Sequence, residues 1–356
     1  MEIISFSVGV DVAKDTFVCY IESLFTNRTT KRVNRRKFNN NKTGIKLFLK
    51  WLKKNCKAVP LIHVTMEATG RYHEPLAYAL FDAKLRCSIV LPNRIKSFAY
   101  SLNEYSKTDP IDARIIASYA SMHNPAAWTP ANKSMRQLRE LTREREDVMK
   151  SRTQAKNRIA ALQVGHLPPA KTIKRLSAQI KLLNAQIKAI DADMERLKDK
   201  DAQLAESVDL LVSIPHIGAI TAYAIIAETN AFNLFENRNQ LIKYAGLDIV
   251  ERQSGSSIFG KSKISRRGNS HLRSAPYPGA LSVKRSQSVF QETYCRAITN
   301  GKEKKQAHTA VVRQLLQVAY GVHKSGIPYD EEIHRLRLKK SVDELKGSPT
   351  VTSLAN

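Results

Sequence analysis

The chain has 356 residues, a length that suggests two or three domains rather than one, and 42% of them are hydrophobic, enough for folded cores and too many for a disordered polymer. Lys and Arg number 58 against 32 Asp and Glu. The resulting net charge of +26 repels itself unless something anionic lies against it, and a polyphosphate backbone is the obvious partner. No apolar run approaches the ~20 residues of a membrane span, and the amino terminus meets Asp11 too early for a signal peptide. Cys19, Cys56, Cys87 and Cys295 show no paired spacing, which excludes a disulfide scaffold and a cysteine-based zinc site. The expected location is the cytoplasm, with nucleoid association when DNA is bound.

Residues 5–22 read as two strands around a Lys14-Asp15 turn. From Asn27 to Lys57 the chain carries 12 Lys or Arg and no acid, and within it KTGIKLFLKWLKKN has the apolar spacing of a helix. PLIHVTM at 60–66 reads as a buried strand ending at Glu67, followed by a helix (HEPLAYALFDA) and a strand (RCSIVL). In TDPIDARIIASYASM, Asp109-Pro110 has the signature of an N-cap with proline in the first turn. Strands mixed with helices over residues 1–130 predict an α/β domain.

Residues 131–206 predict a helical hairpin broken at 165–169. Its second half places Ile173, Leu176, Ile180, Leu183, Ile187, Ile190, Met194 and Leu197 in alternating steps of three and four, continued by Leu204. That heptad seam suits a coiled coil, either closed within one chain or joining two protomers, and the expectation is a dimer or higher oligomer. The helix before it has a weaker seam: Leu138, Leu141, Val148, Ala155, Ile159 and Leu162. Residues 207–330 predict a small, mainly helical domain. It opens DLLVSIPHIGAITAYAIIAE, two apolar helices around a tight turn whose amides can face a phosphate, with His216 where such hairpins often carry glycine. From Arg252 to Gln291 there are eight Lys or Arg and no acid. Residues 331–356 read as a polar tail.

Four carboxylates stand out by position. Asp11 ends the first strand, Glu67 ends a strand that can lie beside it, and Asp109 and Asp112 share one face at a helix start. Singly, Asp11 also suits a turn and Asp109 a cap. Together in so basic a chain they suit a pair of divalent cations, which clamp the attacking and leaving oxygens of a phosphodiester.

VGVDVAKDTF, MEATGRYHEPLA and KTDPIDARIIA resemble the D-E-D-D set of one insertion-sequence transposase family, whose members are bridge-RNA-guided recombinases with pilin-gene invertases as relatives. IPHIG, YAGLDIVERQSGSS, KISRRGNSHLR and VAYGVHKSGIPYD extend the likeness over about residues 5–330. The resemblance implies a ribonuclease-H-like (RuvC-like) domain, a coiled coil and a small transposase domain. It implies that Asp11, Glu67, Asp109 and Asp112 hold Mg2+ as two ions. It implies that Ser254 is the nucleophile forming a phosphoserine link to DNA. Read from the residues alone, Ser254, Ser256 and Ser257 are loop residues beside Gly255, and only the resemblance makes Ser254 a nucleophile.

The implied partners are double-stranded DNA (element ends and target), a guide RNA and a second copy of the chain, with no membrane. Arg35, Arg36, Lys37, Arg252, Lys261, Lys263, Arg266, Arg267 and Arg273 are the expected nucleic-acid contacts. One departure is LRSAPYPGA, where Pro276 and Pro278 interrupt the helix the family usually has. Residues 255–262 also match the GxxxxGK[ST] nucleotide-binding pattern, but that motif requires a helix after it and KISRRGNSHLR is polar and glycine-broken. The alternatives to a recombinase are a RuvC-like junction nuclease that uses water, a site-specific DNA invertase, and a non-catalytic nucleic-acid scaffold.

Overall fold

The computed structural model describes residues 2–336 apart from 57, 69, 107 and 255–257, and it leaves out the side chains of residues 251–262. The expected polar tail lies largely outside the described residues. The chain forms two compact units, Met1–Pro130 and Ala131–Asn356. Among the described residues no helix is long and apolar enough to cross a membrane.

The first unit is built on a five-stranded mixed sheet of order β3-β2-β1-β4-β5. Strands β1 (Ile3–Val12), β2 (Thr16–Phe25) and β3 (Thr30–Asn39) are successive antiparallel neighbours, while β4 (Ile62–Glu67) and β5 (Arg86–Val90) run parallel to β1. The period-2 alternation of β1 sends Val8, Val10 and Val12 into one core, shared with Ile62, Val64 and Met66 of β4. Helix α1 (Lys42–Asn55) covers that face with Ile45, Phe48, Trp51 and Leu52, and Asn41 caps its start by accepting from the Gly44 amide at 2.8 Å. Helix α2 (Glu74–Asp82) adds Leu76, Ala77 and Leu80 to the same core. On the opposite face, α3 (Pro92–Ser101) and α4 (Asp109–His123) form a smaller core through Ile95, Phe98, Ile115, Ile116 and Tyr119 with Val90.

Strand β3 and helix α3 were not among the elements expected from sequence. In β3 only Phe38 is buried, because the strand lies at the sheet edge; TKRVNRRKFN therefore lacks an apolar alternation and carries the positive charge that discourages edge-to-edge pairing. The cap of α4 also shifts by one residue. Thr108 is the N-cap, Asp109 the first helical residue and Pro110 the second.

The second unit begins with two 31-residue helices, α5 (Lys133–Gln163) and α6 (Ala170–Lys200). They run antiparallel in heptad step: Arg145 bonds Asp191 at 2.6 Å, and seven residues on, Arg152 bonds Asn184 at 3.1 Å. Leu176, Leu183, Ile187, Ile190, Met194 and Leu197 are buried, and Ile173 and Ile180 half-buried. The single chain therefore closes its own seam as a hairpin, and the seam needs no second copy for its burial. At the base, Met135, Leu138, Ile190, Met194 and Leu197 enter one continuous core with the helices that follow.

Those helices are α7 (Ala202–Val212), α8 (Ala219–Thr229), α9 (Arg238–Tyr244), α10 (Ser270–Ser274), α11 (Tyr277–Ser282), α12 (Val289–Thr299) and α13 (Lys304–Ser325). Between α9 and α10 stands an antiparallel hairpin of β6 (Ile249–Ser254) and β7 (Ile258–Ile264). The residues after Lys261 thus continue a strand, not the helix that a phosphate-cradling loop demands. Pro276 and Pro278 split the expected helix in two: Pro276 is the N-cap of α11 and Pro278 lies in its first turn, where a missing amide costs little.

Candidate active site and nucleic-acid interface

The parallel register pairs Val10 with Met66, so Asp11 and Glu67 follow side by side at the same ends of β1 and β4. Alternation puts both on the face covered by α4. Gly9, on that face, sets how close the helix comes: a Cβ there would lie 2.0 Å from the Ala113 carbonyl oxygen and 2.4 Å from the Ala117 nitrogen. Only a glycine lets the α4 backbone rest on β1 at Ala113 and Ala117, the turns that directly follow Asp109 and Asp112. Asp11, Glu67 and Asp112 are half-buried, and Asp109 is exposed at the helix start. Among the described residues no three His, Cys, Asp or Glu side chains are gathered closely enough to hold a cation. The backbone therefore brings the sheet-end carboxylates to one place without closing a ligand set. Carboxylate oxygens are hard donors, of the chemistry that suits magnesium.

Beneath α4 the interface is polar. Glu22 is buried and accepts hydrogen bonds from the hydroxyls of Ser121 (2.6 Å) and Ser118 (3.4 Å). Burial pushes its carboxyl above the ordinary value, against the lowering effect of the two serines and Arg114. His63 Nε2 lies 2.7 Å from Ser88 Oγ, and burial, helped by Arg86, lowers the ring to about 4. The Glu22 bonds tie α4 to β2, and the His63–Ser88 contact joins β4 to β5; neither is visible in the sequence, since the partners lie far apart along the chain.

In the second unit, Ser254 is the last residue of β6 and pairs with Ile258; its side chain lies outside the described residues, as do those of Arg252 and Lys261 and all of Gly255, Ser256 and Ser257. The base of the hairpin is well fixed. Gly268, at φ +157°, allows close approach to the Tyr244 carbonyl, which accepts from the Asn269 amide at 2.7 Å. The Ser265 amide donates to the Asp248 carbonyl at 2.8 Å, and the Arg266 amide to the Gly246 carbonyl at 3.0 Å. This pairing explains why YAGLD and RRGNS both occur. Asn269 also donates to Glu228 at 2.6 Å, and Arg143 grips the same buried carboxylate with two bonds, at 2.8 and 3.0 Å. Burial pushes Glu228 up, but Arg143 and Asn269 outweigh it and hold the carboxyl below its ordinary value.

The expected nucleic-acid contacts divide. Lys263, Arg266 and Arg267 are exposed. Arg273 is half-buried and donates to the Ala245 carbonyl at 2.7 Å, so it serves the loop packing. On β3 the three adjacent basic residues separate by face. Arg35 pairs with Tyr20 and Lys37 with Val18, which itself pairs with Asp11, so both share the carboxylate face. Arg36 pairs with Cys19 on the other face, its guanidinium 5.3 Å from the centre of the Phe38 ring. At the turn before α8, His216 adopts a left-handed φ of +70°, the conformation for which glycine is the usual residue. Its Nδ1 is 2.8 Å from the Ser282 hydroxyl and its Nε2 is 3.1 Å from that of Ser286.

A family model described as Transposase, of the IS110 DEDD type, matches residues 8–168, and one described as Transposase IS116/IS110/IS902 family matches residues 208–295. A pilin gene-inverting protein of Moraxella bovis is 30% identical over 330 residues, covering 92% of this chain and 98% of that protein. The chain belongs to the IS116/IS110/IS902 transposase family. DNA recombination is therefore its class of activity. The transposase for insertion sequence element IS1111A of Coxiella burnetii is 26% identical over 305 residues, covering 78% of each chain. Among solved structures, the Thermus thermophilus RuvC structure aligns with 34% of this chain and 98% of that one at 11% identity and a TM-score of 0.26, a value that does not establish a common fold.

Proposed function

We propose that this transposase-family chain breaks and rejoins DNA by a magnesium-dependent strand transfer, with the carboxylates on a ribonuclease-H-like first unit and Ser254 of the second unit as the nucleophile. The observation that carries the reading is the register that sets Asp11 and Glu67 at the same ends of adjacent parallel strands, with α4 resting on β1 at Gly9. The sheet order, three antiparallel strands followed by two parallel to the first, supports the ribonuclease-H-like assignment.

Asp11, Glu67, Asp109 and Asp112 are the groups that hold the magnesium ions. Bound magnesium supplies charge neutralisation at the attacked phosphate and lowers the cost of forming an alkoxide. Ser254 provides the attacking oxygen. Its bond to phosphorus forms as one P–O bond of the DNA breaks, the serine proton is given up, and the leaving oxygen takes one. One ester replaces another, so the strand can rejoin without a high-energy cofactor. Lys37 and Arg35, on the carboxylate face, and Lys263, Arg266 and Arg267 bind phosphates of double-stranded DNA, both element ends and target. The family likeness extends the reading to an element-encoded guide RNA that selects the target.

The test is cleavage of labelled DNA resolved on a denaturing gel. Asp11→Asn and Glu67→Gln should fold and bind DNA but abolish cleavage in magnesium. Ser254→Ala should lose the protein–DNA adduct, while Ser256→Ala and Ser257→Ala keep most of it. Normal cleavage by Asp11→Asn would overturn the metal site. An adduct that persists in Ser254→Ala would overturn the nucleophile.

A further inference from the structure

We propose that Tyr100 and Tyr105 form a stacking site for unpaired nucleobases beside the carboxylate end of the first unit. Tyr105 is 74% exposed and Tyr100 52%, although rings of this size ordinarily cover most of their surface. They face one another, with ring centroids 5.9 Å apart and planes inclined by 35°, and the Lys96 ammonium lies 5.7 Å from the centre of the Tyr100 ring. Lone exposed aromatics need no explanation; an exposed pair with a cation over it offers base-stacking faces and a phosphate contact at one spot.

The pair is held rigidly. Helix α3 ends in a left-handed Asn103 (φ +54°), with the Asn103 amide bonded to the Tyr100 carbonyl at 3.1 Å and the Glu104 amide to the Ala99 carbonyl at 3.0 Å. This reciprocal closure of a helix end fixes the path of the chain from Tyr100 to Tyr105. Glu104 then bonds Arg114 of α4 at 2.6 Å. Arg114 stands two residues after Asp112, so this ion pair ties the loop to the helix that carries Asp109 and Asp112. Rings already fixed lose little freedom when a base stacks on them.

Single-stranded nucleic acid is the occupant the site fits. Its bases expose π-faces, its phosphates match Lys96 and the exposed Arg94, and a protein of net charge +26 selects anionic polymers. A duplex hides its base faces and gains nothing from the rings. The inference rests on the proposed function in one respect: strand transfer leaves unpaired bases at the cut, and these would be held here beside the carboxylates.

The experiment measures binding by the full chain in a metal chelator, so that it is independent of cleavage. The probes are a deoxyadenosine decamer carrying one 2-aminopurine and a closed duplex of the same length. Tyr105→Ala and Tyr100→Ala should each weaken binding of the decamer by about tenfold and reduce quenching of the 2-aminopurine. Tyr105→Phe should stay within about twofold of the parent, since the ring faces remain. Duplex affinity should not change. Equal decamer affinity in the alanine variants, or an equal loss on duplex, would refute the site. So would a change in sedimentation without a change in decamer binding, which would make the pair a contact between proteins. Loss of cleavage in Asp11→Asn is read separately, so either reading can fail alone.

Discussion

The candidate acids Asp11 and Glu67 and the candidate serine stand at strand ends, but the strands differ in kind. Asp11 ends a strand in the middle of a five-stranded sheet, with β2 and β4 on either side and α4 resting on its backbone. Ser254 ends a strand with one neighbour, β7, in a two-stranded hairpin anchored at its base through Ser265 and Arg266. In the first case the core dictates where the side chain goes. In the second, the core dictates only where the hairpin starts. Metal chemistry needs several ligands in fixed relation, whereas a nucleophile needs one attacking atom.

The largest expected effect tests the claim that packing places the acids. Gly9→Val puts a side chain where a Cβ would already be 2.0 Å from the Ala113 carbonyl oxygen. Helix α4 must move, at a cost of about 3 kcal/mol. The melting temperature of the first unit should fall by several degrees, and cleavage should fall by more than the unfolded fraction explains. Chemical denaturation followed by a cleavage assay on the folded fraction separates the two. Full activity in a folded Gly9→Val protein would show that the position of α4 does not set the acids.

How much of this was legible beforehand follows the same division. Asp11, Glu67, Asp109 and Asp112 could be chosen because apolar strands and a proline-marked helix start announce themselves locally. The register that sets Asp11 beside Glu67 could not be read, since it arises from a pairing across about fifty residues. Strand β3 is not legible in the sequence, because an edge strand exposes most of its side chains and shows no alternation. The heptad seam of α6 was plain, but its partner was not: a regular apolar stripe is satisfied equally by α5 of the same chain or by another chain. The grip of Arg143 and Asn269 on Glu228 was invisible, since residues 143, 228 and 269 meet only in the fold.

A smaller effect concerns the buried polar groups on the α4 face of the sheet. The folded form holds the His63 ring neutral, with its pKa lowered from the ordinary 6.5 to about 4, so the unfolded chain takes up a proton first as the pH falls. Stability from this group is complete above about 6.5 and is lost progressively toward about 4. Glu22, shifted upward by burial, acts in the opposite sense: it costs stability once ionised and relieves that cost on protonation. His63→Gln removes the titration and keeps a polar partner for Ser88. Its stability relative to the parent should therefore improve as the pH drops from 6.5 toward 4, as measured by urea midpoints. A constant difference across that range would show that His63 titrates alike in both states.

The smallest effect compares neighbours on one strand. Arg35, Arg36 and Lys37 are consecutive and equally charged, and composition alone makes them equivalent. The pairing of β3 with β2 separates them: Arg35 and Lys37 project to the carboxylate face, two strands from Asp11 or about 10 Å, while Arg36 projects to the other face over Phe38. A phosphate backbone entering the carboxylate end would meet the first two and miss the third. Each phosphate contact adds a counterion-release contribution of about 0.9 to the slope of log affinity against log salt on duplex DNA. Arg35→Gln and Lys37→Gln should therefore each reduce that slope by about one and weaken binding severalfold at low salt. Arg36→Gln should leave the slope unchanged and instead lower thermal stability slightly, since its contact with the Phe38 ring is worth about 0.5–1 kcal/mol. Equal slopes for all three variants would mean that the edge strand attracts DNA by its charge as a whole. A reduced slope for Arg36→Gln alone would place the DNA on the α1 face and remove the link between β3 and the carboxylates.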